Sequence, residues 1–273
     1  AMEAVQQTFN GTAALDRKVT CTVSRNGDLV HKVYLQVDLT FANSGATVNK
    51  ALGHALIKSV EVEIGGQQID KHYGEWMDAW HDLTCPEEKS DGMETMLGKA
   101  GGSATTLYIP LQFWFCKNPG LAVPLIVLQY HEVKINVEFV SSLSGVTMSD
   151  ASIWVDYIYL DTDERRRFAQ VSHEYLIEQL QYTGVESLSG STAKVRMNFN
   201  HPVKELVWLQ EEGAVTAFDR EPMTGVKVKM LLNGHDRFAE RDSNYFKLVQ
   251  PSQHHTRIPE DDIHCYSFAL KPE

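Results

Sequence analysis

One property of the chain constrains its fold before any other: apolar residues recur at every second position. Val19, Cys21 and Val23 alternate with Thr20, Thr22 and Ser24. Val33, Leu35, Val37, Leu39 and Phe41 alternate with Lys32, Tyr34, Gln36, Asp38 and Thr40. The pattern returns at Val60, Val62 and Ile64, and again at Val133, Ile135, Val137 and Phe139. Successive side chains of a strand leave on opposite faces, so each run has one apolar face and one wet face. Antiparallel sheets covered on one side have this character. Ile153 to Leu160 is apolar at nearly every position, which predicts a strand covered on both faces.

The breaks between runs agree. Asn26-Gly27 predicts a hairpin between the first two runs, because both residues tolerate positive φ. Gly65-Gly66 ends another strand, and Asn118-Pro119-Gly120 breaks the chain after Phe113-Trp114-Phe115. Helical signals are few. Tyr73 to Leu83 predicts a short helix with Trp76, Trp80 and Leu83 on one face, and Arg241 to Val249 predicts a second. Cys85 to Thr105, rich in Gly, Ser, Glu and Lys, reads as a long exposed loop.

A charged stretch, Asp161-Thr162-Asp163-Glu164, follows the apolar run and marks a boundary. Residues 1–164 form a first domain, 165–172 a connector and 173–273 a second domain. The halves resemble each other. Val62-Glu63-Ile64-Gly65-Gly66-Gln67-Gln68 has a counterpart in Met230-Leu231-Leu232-Asn233-Gly234-His235-Asp236. Tyr73-Gly74-Glu75-Trp76 corresponds to Ser243-Asn244-Tyr245-Phe246, and Leu107-Tyr108-Ile109-Pro110-Leu111 to Cys265 through Leu270. An offset of roughly 160–170 residues is domain-sized, far above a solenoid period. Two tandem copies of one β-sandwich account for it. The second copy lacks counterparts of Gly120–Leu128, Val133–Phe139 and Ile153–Leu160, and both chain ends read as cut points.

The 273 residues are 43% hydrophobic and 22% charged, ordinary for a globular chain. The formal net charge of −11 repels phosphate and disfavours non-specific nucleic-acid binding. Arg165-Arg166-Arg167 is flanked by acids and reads as a solvated linker. Cys21, Cys85, Cys116 and Cys265 form no C-x-x-C pair, which argues against a zinc knuckle and a dense disulfide framework and fits a reducing compartment. The longest apolar run, Leu121–Leu128, contains Pro124 and is too short for a bilayer.

No catalytic constellation is present among the familiar motifs. Gly92 to Lys99 has one residue too many for a phosphate-binding loop, and Ala100 replaces the hydroxyl that would hold Mg²⁺. His254-His255 with Asp261, Asp262 and His264 reads as a polar loop, because adjacent histidines on extended backbone point opposite ways. His131-Glu132 reads as a polar pair at a strand end. Phe113-Trp114-Phe115, Trp154, Tyr157, Tyr159 and Trp208 read as core or interface rings. No catalytic, cofactor or metal site is expected. Asn10-Gly11-Thr12 makes Asn10 a candidate N-glycosylation acceptor.

Three further segments complete the picture: Ser24-Arg25-Asn26-Gly27-Asp28-Leu29, Val60 through Tyr73 with its Gly65-Gly66-Gln67-Gln68 centre, and Asn118-Pro119-Gly120-Leu121-Ala122-Val123-Pro124 through Val133. With Trp154 to Thr162, His173 to Gln181 and Tyr266 to Pro272, they closely resemble the major capsid protein family of nucleocytoplasmic large DNA viruses, in its algal-virus and mimivirus-like branch. The resemblance implies an all-β double jelly roll, two tandem jelly-roll sandwiches with short helices in loops, the second incomplete in this chain. It implies a homotrimer with six rolls around its axis, forming pseudo-hexagonal capsomers of an icosahedral shell. Neighbouring capsomers and minor capsid proteins would be its partners, with no direct nucleic-acid contact and an internal viral membrane close by. The chain would belong to the virion and assemble in the host cytoplasm. Relatives carry an arm before the position of Ala1 and strands after Pro272. A carbohydrate-binding jelly roll, and a minor capsid relative with a truncated second barrel, are the alternative readings.

Overall fold

The computed structural model describes residues 1–41, 51–98, 105–211, 218 and 220–273. Its contacts divide the chain into two compact units. The first is built from Ala1–Ala79 and Glu88–Gln179, the second from Trp80–Glu87, Leu180–Ala214 and Asp219–Glu273.

The first unit carries strands β1 (Met2–Gln7), β2 (Lys18–Thr22), β3 (Leu29–Phe41), β4 (Ile57–Ile64), β5 (Gln67–Tyr73), β6 (Thr106–Pro110), β7 (Val123–Pro124), β8 (Val133–Phe139) and β9 (Val146–Ile158). One sheet has the order β1-β9-β3-β6, with the two-residue β7 beside β3. The other has the order β2-β8-β4-β5, and all pairs are antiparallel. With β7 set aside, the chain crosses from one sheet to the other at every step except the β4–β5 hairpin, the connectivity of a jelly roll.

Alternation in the sequence becomes burial in the fold. Val33, Leu35, Val37 and Leu39 of β3 point into the same core as Cys21, Val60, Val62, Ile135 and Val137 of the other sheet. The intervening polar residues of β3 stay at least partly in solvent. Strand β9 departs from expectation. Ile153, Val155 and Tyr157 are buried, but Trp154, Asp156 and Ile158 are only half-buried. Among the described residues no second layer covers that outer face; Trp154 stacks instead on Tyr34, its partner across the β3–β9 ladder, with ring centroids 6.1 Å apart.

The Asn26-Gly27 turn does not close a hairpin. It carries the chain from β2 in one sheet to β3 in the other. Gly27 is needed there for space: a Cβ would lie 2.6 Å from the Cβ of Tyr157. The Tyr157 hydroxyl donates to the Ser24 carbonyl at 2.6 Å. Asp28 Oδ2 accepts from the Leu160 amide at 2.7 Å and from Arg165 Nε at 3.0 Å. The end of β9 therefore locks the crossover in place.

Short helices α1 (Leu52–Ala55) and α4 (Trp114–Lys117) sit between strands, while α2 (Gly74–Thr84) matches the expected helix. From Trp80 onward α2 is counted with the second unit. The expected loop over Cys85–Thr105 instead contains helix α3 (Glu87–Leu97). Ser90 and Leu97 are buried and Met93 half-buried, so the i, i+3, i+7 spacing supplies an inward stripe that polar composition had hidden. Gly98 follows it with φ +74, the left-handed conformation that ends many helices. The charged connector is likewise helical, as α5 (Thr162–Gln170). Asp161 caps it by accepting from the Glu164 amide, while the Glu164 side chain accepts from the Asp161 amide.

The second unit carries β10 (Glu205–Leu209), β11 (Lys227–Val228), β12 (Leu231–Leu232), β13 (His235–Asp236), β14 (Arg241–Asp242) and β15 (Ile263–Ser267). They pair as three two-stranded ladders, β10-β15, β11-β14 and β12-β13. A π-helical turn over Tyr245–Val249 runs into helix α6 (Gln250–His254), so helix starts later than Arg241, which is in β14. Phe246, Ile263 and Cys265 are fully buried. No described residue between 171 and 204 is in a strand, and the second roll is incomplete among the described residues.

The duplication is visible in backbone geometry. Gly65 and Gly66 join β4 to β5 with φ +60 and +82. Asn233 and Gly234 join β12 to β13 with φ +52 and +82. Two consecutive positive φ angles define the type I′ hairpin turn. A helix and then a further strand follow each hairpin, after the intervening two-residue β14 in the second case.

Two outcomes test this account. Gly27→Ala should lower unfolding stability by about 1–3 kcal/mol, since the new methyl meets a rigid neighbour; a denaturant midpoint equal to wild type would refute it. Burial alone would raise the Glu61 carboxyl, but hydrogen bonds and charge from Lys18 and Lys71, each 2.8 Å away, hold it below its ordinary value. A depressed folded-state pKa gives stability that is present above the ordinary value of 4.5 and fades as pH falls through the folded value. Acid titrations of unfolding should therefore show a shallower loss below pH 4.5 in Glu61→Gln than in wild type.

Candidate functional site

The residues singled out by sequence are mostly dispersed. Asn10 is exposed, bridges to Thr20 of β2 and donates from Nδ2 to Thr22 Oγ1 at 3.4 Å. Gly11 beside it has open space around its Cα. His131 and Glu132 are exposed at a turn; the Glu132 carbonyl accepts from the Gly65 amide, and its carboxylate lies 3.2 Å from Lys134 Nζ. Gly92 to Leu97 belongs to α3, while Lys99 and Ala100 lie outside the described residues. Phe113, Trp114, Phe115 and Tyr157 are core residues of the first unit. Tyr159 packs partly buried against that core, its hydroxyl 3.1 Å from Glu3. Trp208 belongs to an aromatic group in the second unit, 5.2 Å from Phe246, which neighbours Phe238 and Tyr266.

The histidine-rich loop is taken apart by the fold. His254 Nδ1 meets the Leu270 carbonyl, Asp261 pairs with Arg220 at 3.2 Å, and Asp262 pairs with Lys247 at 2.7 Å. His264 stacks against Trp208, and burial pushes its pKa down. His255 alone joins a new group. Its Nε2 lies 2.5 Å from Glu205 Oε1, and its Nδ1 lies 3.1 Å from Glu273 Oε1. Cys265 completes the cluster, with one ligating atom of each of Glu205, His255 and Cys265 within 4.8 Å of the others.

Strand pairing explains the meeting. Val207 faces Cys265 across the β10–β15 ladder, so Glu205, two residues earlier, lies on the same face. His255 follows α6 and reaches that face, with the Trp80 ring edge-on at 5.9 Å. Burial and the Glu205 charge push the Cys265 thiol up. Burial lowers the affinity of His255 for a proton, yet Glu205 and Glu273 outweigh it and the pKa is raised. Glu205 and Cys265 are sixty residues apart on separate strands, and no sequence spacing signals such a pair. The same holds for Arg220, whose 3%-exposed side chain lies between Asp82 at 3.1 Å and Asp261. All four cysteines are buried and form no disulfide.

The surface also sorts by region. In the first unit's sandwich few large apolar side chains are exposed, chiefly Met2, Tyr108, Val127 and Tyr130. From Val171 onward they are frequent, among them Leu176, Val185, Leu188 and Leu270.

Two protein families match consecutive parts of the chain. Residues 1–161 match the major capsid protein N-terminus. Residues 164–273 match the large eukaryotic DNA virus major capsid protein. The chain belongs to the major capsid protein family of large eukaryotic DNA viruses. It is 51% identical to the major capsid protein of Pyramimonas orientalis virus, covering 100% of this chain and 78% of that protein. It is 38% identical to the major capsid protein of Paramecium bursaria Chlorella virus 1, covering 100% and 74%. A quasi-atomic structure of the PBCV-1 virus capsid superposes with a TM-score of 0.86 at 36% identity, over 100% of this chain and 78% of that one. The Faustovirus major capsid protein shares the fold at 11% identity and a TM-score of 0.65, over 100% and 83%. These family members establish the fold as the double jelly roll of capsid proteins, with the first roll whole here and the second partial.

Arg220→Met should destabilise the second unit by about 3–5 kcal/mol, because it removes the buried cation that lies between the Asp82 and Asp261 carboxylates. Denaturant unfolding followed by tryptophan fluorescence would check it, and a loss below about 1 kcal/mol would refute the buried pairing.

Proposed function

We propose that this chain is a structural subunit of an icosahedral large double-stranded DNA virus shell, and that it associates as a homotrimer into a pseudo-hexagonal capsomer. The observation that carries the reading is the tandem architecture. A whole jelly roll is followed by a unit that repeats its I′ hairpin and, after the short strand β14, its helix and further strand. Three copies of a two-roll chain set six similar bodies around one axis, the symmetry a hexagonal lattice requires. The division into a first roll over 1–164, a connector over 165–172 and a second roll over 173–273 belongs to this reading.

The apolar side chains exposed beyond residue 171 support burial against other protein chains: further capsomers and minor capsid proteins. The net charge of −11 supports a shell that holds its genome without gripping it; an internal membrane close by belongs to the same reading through the family. The protein acts by assembly and not by catalysis, in virions put together in the host cytoplasm. Exposure of Asn10 supports its use as a glycan acceptor.

Sedimentation velocity across a concentration series tests the central point. A species of three times 30.8 kDa is expected. A monomer at every concentration would overturn the trimer.

A further inference from the structure

We propose that Glu205, His255 and Cys265 form a binding site for one divalent transition-metal ion of the zinc class. The inference is independent of the assembly reading. Thiolate, imidazole and carboxylate together are a donor set that zinc favours. One donor atom from each residue lies within 4.8 Å of the other two. A tetrahedral ion with ligands at about 2.0–2.3 Å holds its donors roughly 3.3–3.8 Å apart. The site therefore needs the Glu205–His255 contact to open and at most about 1 Å of closure elsewhere, movements within the reach of side-chain rotation.

The surroundings are those of a built site. The His255 side chain is fully buried and that of Glu205 is 7% exposed. Cys265 is fully buried. Glu273 accepts from His255 Nδ1, which leaves Nε2 as the nitrogen facing Glu205 and Cys265. Metal-binding histidines are oriented in this way by an outer carboxylate. Glu273 is itself held, accepting from the Thr256 amide and the Thr256 hydroxyl at 2.6 Å each. The thiolate and carboxylate offset the two charges of the ion. On binding, bonds form from the metal to Sγ, Nε2 and a Glu205 oxygen. The thiol proton and the proton shared between His255 and Glu205 pass to solvent, and water takes the fourth position. The ion would join β10, β15 and the end of α6, the elements on which the second unit's small core depends.

The test is titration of the chelator-treated full chain with Zn²⁺ by calorimetry, and with Co²⁺ by absorption. One equivalent of Zn²⁺ should bind and raise the unfolding temperature until one equivalent is reached. Co²⁺ should give a thiolate-to-cobalt charge-transfer band. Cys265→Ser should abolish that band and weaken Zn²⁺ binding at least tenfold, and Glu273→Gln should weaken it about 10–100-fold. Should Cys265→Ser fail to fold, His255→Gln decides, through loss of the single equivalent and a changed cobalt spectrum. Absence of binding, absence of the charge-transfer band in the unaltered protein, or binding indifferent to these substitutions would overturn the site. His255 would then be an ion-paired brace between Glu205 and Glu273.

Discussion

Two sheets that are each apolar on one face cannot leave those faces in water, and the first unit is organised by that constraint. The β1-β9-β3-β6 and β2-β8-β4-β5 sheets bury Val33, Leu35, Val37, Ile153 and Val155 against Cys21, Val60, Val62, Ile135 and Val137. Every connection has to serve this arrangement. Gly27 shows how closely: the crossover passes so near Tyr157 that no side chain fits, and Asp28 then ties the crossover to the end of β9 and to Arg165 of α5. The helix that follows the first roll is thus tied to its sheet by a salt bridge as well as by the chain.

The second unit answers the same demand less completely. Its core centres on Phe246, Ile263 and Cys265, its ladders have two strands each, and apolar side chains stand exposed along the segment that leads into it. A domain with little buried apolar surface gains little from folding alone and depends on neighbours or internal ties. The ion pairs around Arg220 and the Glu205–His255–Glu273 chain are ties of this sort. They hold β10, β15 and the end of α6 where aliphatic packing is thin. Assembly into a capsid supplies neighbours, and the family to which the chain belongs makes that its proposed role.

Much of this was legible beforehand. Period-two alternation located β2, β3, β4 and β8 and named the faces that they bury, because a strand's inward side is a local property of its own residues. The Gly65-Gly66 and Asn233-Gly234 turns were readable for the same reason: two successive positive φ angles demand such residues. The order of these signals exposed the duplication, and longer segments carried the family resemblance. Where local composition misled, as in α3 and α5, the helix was specified by a narrow inward stripe or by a capping box that a count of polar residues conceals.

Tertiary structure decided what alternation leaves open. A strand's pattern says which side faces the core but not which strand lies beside it, so Asn26-Gly27 could be seen as a turn but not as a passage between sheets. The His255 cluster lies further still from sequence. His255, next to His254, takes nothing from its neighbour and meets Glu205 and Cys265 only because β10 and β15 pair in one register and α6 ends above them. By itself the sequence determined the faces, the turns and the repeat. Only long-range strand pairing, which sums contacts between residues far apart in the chain, determined which side chains share a site.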